Sequence, residues 1–275
     1  MLPLWRNRLY IAIGPERISL LKLGRGLKMR ILARHDEAVA PSGKQPSWQA
    51  LLDKLTQVLS QPEWQNADVS IVLSNRLVRY AMIPFDAQLQ NYSAQEAFAR
   101  HRLTQIHGVM VEQWELRILP GKTGQPRLVS ALDRPLLEGL RQMCATHKLG
   151  LRSVTPYLMP VFNCCRKSIK SDPVWLILHE QNYSLFALLE RGEFIAANGV
   201  CHNSMDELPM LLDRENLASS LAEPCNSAYL WTSSRNDFPS AGQPGYEFSK
   251  FDMAAPDGFY SSDDECHVMA MSGVL

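Results

Sequence analysis

The segment Leu9–Leu23 reads LYIAIGPERISLLKL. Two apolar runs flank Gly14-Pro15-Glu16-Arg17, and Gly and Pro are turn residues, so the segment is a β-hairpin. A second turn at Gly24–Gly26 leads into LKMRILARHDEAVA, a third strand. The same order returns in VWLILHEQNYSLFALLERGEFIAANGV, from Val174 to Val200. Aligned on Ser19 and Ser184, the two stretches stand at an offset of 165 residues. Each is followed by a helical pattern and then by a strand that ends in polar residues: DVSIVLSNR in the first half, NSAYLWTSSR in the second. Self-similarity on this scale marks a duplicated supersecondary unit. The chain therefore reads as two copies of β-β-β-α-β.

Between and after the copies the pattern is mixed α/β. Trp48, Leu51, Leu52, Leu55, Val58 and Leu59 recur at helical spacing, with Ser47 placed as a cap. DVSIVLS and LVRYAMIP are strands hinged at Asn75–Arg76, and AQEAFARHRLTQIHG is a helix that stops at Gly108. VEQWELRIL and PRLVSALD form a hairpin across PGKTGQP. PLLEGLRQMCATHKLG is a helix with an apolar stripe, LRSVTP a short strand, and YLMPVFNCCRK a helix bent at Pro160. Ser234–Phe259, rich in Gly, Pro, Ser and Asp, reads as loop, and DDECHVMAMSGVL closes with a short acid-capped helix. The expected organisation is a first lobe over 1–169 with an inserted subdomain at about 85–120. A second lobe covers 170–275, its last helix packing back toward the first.

Composition narrows the class. The 275 residues hold 28 basic and 28 acidic side chains, so no basic excess points to nucleic acid or to a membrane surface. No signal segment and no spanning run of apolar residues is read, which leads to the expectation of a cytoplasmic protein. Six cysteines without a C-x-x-C pair are expected to be free thiols.

Two β-β-β-α-β copies are the signature of the actin-like superfamily, whose two lobes close over a nucleotide. The resemblance extends to particular stretches. IAIGPERISLLKL resembles the opening hairpin of the type IV pilus assembly family PilM, and LVRYAMIPF its following strand. PRLVSALDRPLLEGLRQMCATHKLGLRSVTP and HVMAMSGVL are similar to its later strand–helix–strand and closing segments. The cytoplasmic lobes of L-type type II secretion proteins and of MshI-like proteins share the pattern. The resemblance implies a two-lobed, ribonuclease H-like duplicated fold of mixed sheets flanked by helices. It also implies a scaffold or adaptor on the inner face of a pilus or secretion platform, peripheral to the inner membrane through a partner. Its partners would be the cytoplasmic tail of a PilN-like inner-membrane protein and an assembly ATPase. The groove it implies runs through LVRYAMIPFDAQLQNYSAQEAFARHRL and VEQWELRIL. There Arg76, Arg79, Tyr80, Arg100, Arg102 and Trp114 are expected at the surface, residue types enriched at interfaces.

In nucleotide-using relatives each lobe's first hairpin carries an aspartate. Here those positions hold Ala12 and Leu178, and an alkyl group cannot ligate a hard cation. Gly14 remains, but Pro15 removes an N–H from the turn and Glu16 adds a negative charge. The second turn, His179-Glu180-Gln181-Asn182, has no glycine, and YLWTSSR lacks the Gly-Gly turn that would lie against adenosine. The expectation is a pseudo-ATPase without ATP, magnesium or other cofactor. The alternative is an actin-like phosphotransferase with relocated acids, for which Glu16, Glu180 or Asp133 would have to turn inward.

Other motifs carry less. PGKTG lacks the first glycine of a P-loop and precedes a strand, so it reads as a turn. His101 and His107 lie on different helix faces, unlike metal pairs at i, i+4. His179 has no accompanying nucleophile motif such as G-x-S-x-G. Cys266–His267 and Asp263-Asp264-Glu265 suit packing and capping better than a metal or calcium loop.

Overall fold

The computed structural model describes residues 6–24, 30–40, 48–86, 89, 91–169, 172–219, 221–232, 245–251 and 267–274. The proposed cap Ser47, the acidic run Asp263–Glu265 and Cys266 lie outside the described residues. The first elements are β1 (Asn7–Ile13), β2 (Arg17–Gly24), β3 (Arg30–Ala38), α1 (Trp48–Leu59), β4 (Ala67–Leu73) and β5 (Arg79–Ile83). Then come α2 (Tyr92–His107), β6 (Trp114–Ile118), β7 (Arg127–Asp133), α3 (Arg134–Thr146), β8 (Gly150–Pro156) and α4 (Leu158–Cys165). The rest are β9 (Val174–Glu180), β10 (Tyr183–Glu190), β11 (Glu193–Cys201), α5 (Leu208–Ala218), β12 (Ser227–Thr232), β13 (Glu247–Lys250) and α6 (Val268–Ser272). No described helix is long and apolar enough to cross a membrane.

Contacts divide the chain into two units. One holds Met1–Leu77, Asp133–Cys164 and Met253–Leu275; the other holds Val78–Leu132 and Cys165–Asp252. The segment expected as an insertion of the first lobe thus groups with the second meander.

The first unit is built on a sheet of order β3-β2-β1-β4-β8. β1 is antiparallel to β2 and parallel to β4. A strand with neighbours on both sides and cover on both faces reads as an unbroken apolar run, and Leu9 to Ile13 are all buried. The edge strand β3 alternates exposed and half-buried residues. The six α1 residues predicted for one stripe are the six that are buried. α1 lies against α3 so closely that a Cβ at Gly139 would stand 2.6 Å from Leu52 Cδ1, and the leucine methyl would have to turn aside. α6 covers the other face, where Ala270 and Met271 pack on Tyr10, Ala12, Leu21 and Leu23. In α4, Pro160 is the third residue, where no intrahelical N–H is needed. It starts the helix rather than interrupting it.

The second unit repeats this order as β11-β10-β9-β12-β13, with the same parallel and antiparallel pairings. β13 lies within the segment Ser234–Phe259 that composition marks as loop; its four residues stand beyond a Gly- and Pro-rich stretch and pair parallel to β12. The hairpin ends correct the alignment of the copies. Gly14 N–H donates to Arg17 O, closing the first over Pro15–Glu16, and Glu180 opposes Tyr183 across Gln181–Asn182 in the second. Both β2 and β10 also break register late, at Lys22/Leu23 and Leu188/Leu189. These features match at an offset of 166, one more than the serine alignment. At this offset Ala12 corresponds to Leu178, where the serine alignment sets it on Ile177, and Ser19 corresponds to Leu185, because a one-residue slip moves every side chain to the opposite face.

The remaining strands of the second unit form a small sheet, β5-β7-β6, with α2 over it. Its core is Ile83, Ala99, Leu103, Val111, Trp114, Leu116, Val129 and Ala131. α2 begins at Asn91, whose side chain accepts from Ala94 N–H, and ends at Gly108 with φ of 67°. The PGKTG segment is a turn, as predicted, and Lys122 reaches Glu193 Oε1 at 3.4 Å.

Candidate functional site

At the first hairpin, Ala12 stands between Ser19 of β2 and Val72 of β4 and is 1% exposed. Its methyl faces the aliphatic cover supplied by α6. The carboxylate opposite Ser19 is Asp36 of β3, and it is engaged by Ser19 Oγ–H at 2.6 Å and by the Arg17 guanidinium. Gly14 has no left-handed backbone, and a Cβ there would make an ordinary contact of 3.4 Å with Arg17 O. Pro15 and Glu16 form the turn itself, with Glu16 exposed.

At the second hairpin, Leu178 is fully buried between Leu185 and Trp231. Neither acid position therefore offers an oxygen to a cation. Among the described residues no group of three His, Cys, Asp or Glu side chains is placed to hold a metal. Beyond Leu178 the chain turns polar. His179 Nδ1 lies 3.2 Å from Ser184 Oγ, which lies 2.8 Å from His202 Nε2. His202 Nδ1 is 3.0 Å from the Ser204 carbonyl. A carbonyl only accepts, so Nδ1 of His202 carries the proton and its Nε2 accepts the Ser184 O–H. The serine oxygen in turn accepts from His179 Nδ1–H. A serine hydrogen-bonded to a carbonyl-oriented histidine has the connectivity of an activated nucleophile. Ser184, however, has no exposed surface, and both rings are 4% exposed. The chain of bonds joins β9, β10 and the segment after β11 as a clasp. A recess of about 450 Å³ beside it is lined by Gln181, Asn182, Asn203 and Ser204 as well as the two histidines.

The three candidates for relocated acids lie in different surroundings. Glu16 sits exposed on its turn. Asp133 accepts from Trp48 Nε1–H at 3.0 Å. Glu180 lies near the Tyr80 phenol, whose pKa is raised well above its ordinary value by burial, then by Tyr183 and Glu180.

The expected groove residues fare differently. Arg76, in a 3₁₀ turn of the first unit, is half-buried, and its N–H donates to Ser74 Oγ. Arg79 is exposed at the start of β5 and Arg102 is exposed on α2. Tyr80 is half-buried. Arg100 is a staple: its Nη1 donates to Val111 O at 2.7 Å and its Nη2 pairs with Glu96 at 3.1 Å. It thereby adds a second donor to a carbonyl near the end of the 3₁₀ helix Gly108–Gln113 that also accepts from Trp114 N–H. Trp114 is corrected outright. It is 5% exposed, a core residue of the small sheet with the His107 ring edge-on at 5.1 Å, and no surface contact. Its strand alternates Trp114, Leu116, Ile118 against Glu115, Arg117, and the indole belongs to the inward set.

Sequence reasoning passed over Ser184 and His202. Its only signal was the pair of meander turns, which set β9, β10 and β11 side by side. The described cysteines are free, and burial pushes the Cys144 thiol up to about 11.

Comparison with solved structures supplies the fold name. The cytoplasmic domain of EpsL, an inner-membrane component of the type II secretion system of Vibrio cholerae, aligns over 90% of this chain and 90% of its own, with TM-score 0.56 and 13% identity. A Bacteroides thetaiotaomicron protein with an actin-like ATPase fold and unknown function aligns over 84% of both chains at TM-score 0.57 and 12% identity. The chain has the actin-like ATPase fold. A PilM–PilN type IV pilus biogenesis complex aligns over 81% of this chain and 80% of that one, at TM-score 0.56 and 14% identity. No family model and no curated protein matches the sequence. Within that fold the two hairpins described above are the repeated pair, with Ala12 and Leu178 at matching positions.

Proposed function

We propose that this actin-like chain is a pseudo-ATPase that serves as a cytoplasmic adaptor on an inner-membrane assembly platform of the type IV pilus or type II secretion kind. It holds the cytoplasmic tail of a PilN-like membrane protein and stays at the membrane through that partner. The observation that carries the loss of ATP chemistry is the pair Ala12 and Leu178, both buried aliphatic side chains at the acid positions. Phosphoryl transfer depends on metal ions placed by oxygen ligands, which these side chains lack. The platform role is supported by the matching extent of the EpsL cytoplasmic domain and of the PilM–PilN complex. Tail capture draws on the small sheet and α2, where Arg79 and Arg102 present cationic heads.

A thermal-shift titration tests both halves, since a ligand that binds only the folded state raises its apparent stability. Magnesium and ATP should leave Tm unchanged. Tail peptides of single-span inner-membrane proteins encoded beside the gene should raise it. A magnesium-dependent ATP shift accompanied by turnover would overturn the pseudo-ATPase reading, and indifference to every such peptide would overturn the adaptor reading.

A further inference from the structure

One pocket of the small sheet has a built-in cation. It measures about 310 Å³ and lies where β5 ends, beside the first turn of α2 and the β6–β7 loop. Ile83, Phe85 and Leu89 give it apolar walls, and Gln95, Gln125 and Arg127 give it polar groups. Phe85 is 54% exposed, a large apolar side chain left open to solvent at the rim.

Arg127 is aimed by a buried relay. Its Nη1–H donates to Gln95 Oε1 at 2.7 Å, and Gln95 Nε2–H donates to Leu89 O at 2.7 Å. Gln95 is 5% exposed, so its amide is fixed by burial as well as by bonds. A guanidinium carries five N–H donors. One is spent on Gln95, and among the described residues no carboxylate pairs with Arg127. A half-buried guanidinium in that condition, held in place next to apolar walls, is suited to a planar anion that accepts two parallel N–H bonds. Asp86 also borders the pocket.

We infer that this pocket receives a carboxylate side chain flanked by apolar side chains, presented by an extended segment of a protein partner. The carboxylate lies on Arg127, the apolar neighbours lie on Phe85, Leu89 and Ile83, and the Gln125 amide meets the segment's backbone. The inference rests on the tail-capture reading and adds the chemistry of the captured segment, an acidic residue between aliphatic ones.

The test is an NMR titration of the full chain with Ac-Leu-Asp-Leu-NH₂ and Ac-Leu-Asn-Leu-NH₂, followed on the methyl signals of Ile83 and Leu89. The aspartyl peptide should move both signals and bind at least about tenfold more tightly than its amide twin, the scale of a charge-assisted bond. Arg127→Gln should erase that preference while leaving the spectrum of the α2 core in place, and Arg127→Lys should retain part of it. Equal binding of the two peptides, a preference that survives Arg127→Gln, or still signals at Ile83 and Leu89 would each overturn the inference. So would inorganic phosphate moving these signals where the peptides do not, since that describes a bare anion site. A tail peptide that stabilises wild type and Arg127→Gln alike refutes the carboxylate pocket and leaves the adaptor reading standing. Peptide preference without any tail shift does the reverse.

Discussion

At the end of the first hairpin, β1 closes with Ala12 and Ile13, and Ala12 packs with Tyr10, Leu21, Leu23 and the cover of α6, beside the bonded Ser19–Asp36 pair. At the equivalent end of the second, Leu178 is followed by His179, and a serine between two imidazoles takes over the sealing. Strand order, pairing directions and even the late register break agree between the two sheets. The same topology is thus held by an apolar plug in one copy and by a hydrogen-bonded clasp in the other. Backbone ladders fix this fold, and the residues beside the turns vary without altering it. A second polar fixture deepens the contrast. Asn216 of α5 accepts from Trp175 Nε1–H and Cys225 N–H and donates to Cys225 O and Tyr246 Oη, using its whole amide.

The contrast is open to attack from three sides. Ala12→Asp strikes the apolar plug and has the largest expected effect. A carboxylate buried beneath α6, next to a Ser19 hydroxyl already given to Asp36, should cost roughly 3–5 kcal/mol in urea unfolding, with part regained in acid as it protonates. If Ala12→Asp instead keeps full stability and gains a magnesium-dependent ATP shift, the first hairpin is a dormant site and the plug description is wrong.

Ser184→Ala strikes the clasp. It leaves His179 Nδ1 and His202 Nε2 buried without the hydroxyl, at about 1–3 kcal/mol. The alanine of the first copy packs among hydrocarbon, and its polar neighbour Ser19 is already bonded to Asp36; an alanine here would strand two imidazoles. Unchanged unfolding midpoints would mean that the two imidazoles find other partners and that the clasp is incidental.

The smallest effect is one of pH. Burial, and then the bond to Asp213 Oδ1 at 2.7 Å, push the Tyr246 phenol up to about 12. In the unfolded chain it ionises near 10. Between these values the unfolded state holds fewer protons than the native one, so stability falls as pH rises from about 10 to about 12. Tyr246→Phe should flatten this alkaline slope, measured by pH-dependent chemical unfolding. A slope that persists assigns it to other groups.

Much of this was legible in the sequence because it rests on local periodicity. Both meanders, α1 with its stripe, and the stop of α2 at Gly108 follow from alternation, helical spacing and a residue that accepts positive φ. The offset between the copies was read one residue short, because a coincident serine is a weaker marker than the hairpin turn that sets register. β13 escaped because four residues after a Gly- and Pro-rich stretch carry no pattern of their own; its partner strand creates it. Trp114 was within reach. Alternation along Trp114–Ile118 placed the indole inward, and the enrichment of tryptophan at interfaces was given too much weight against it. The clasp was out of reach, since Ser184 and His202 stand 18 residues apart and meet only through the strand arrangement. Arg100 and Arg127 looked like any surface arginine until their partners on and beside α2 were known.

The cover on β1 and β2 has a consequence for how the protein is made. His267, at the start of α6, meets the carbonyl of His35 from 232 residues away along the chain. A ribosome adding roughly 5–20 residues per second needs on the order of 10–45 s to travel that distance. For that interval Tyr10, Leu21 and Leu23 are already synthesised and still bare on one side. The nascent first sheet therefore presents an oily face to the cytosol throughout the synthesis of the second, a standing invitation to holding chaperones that ends only when α6 emerges.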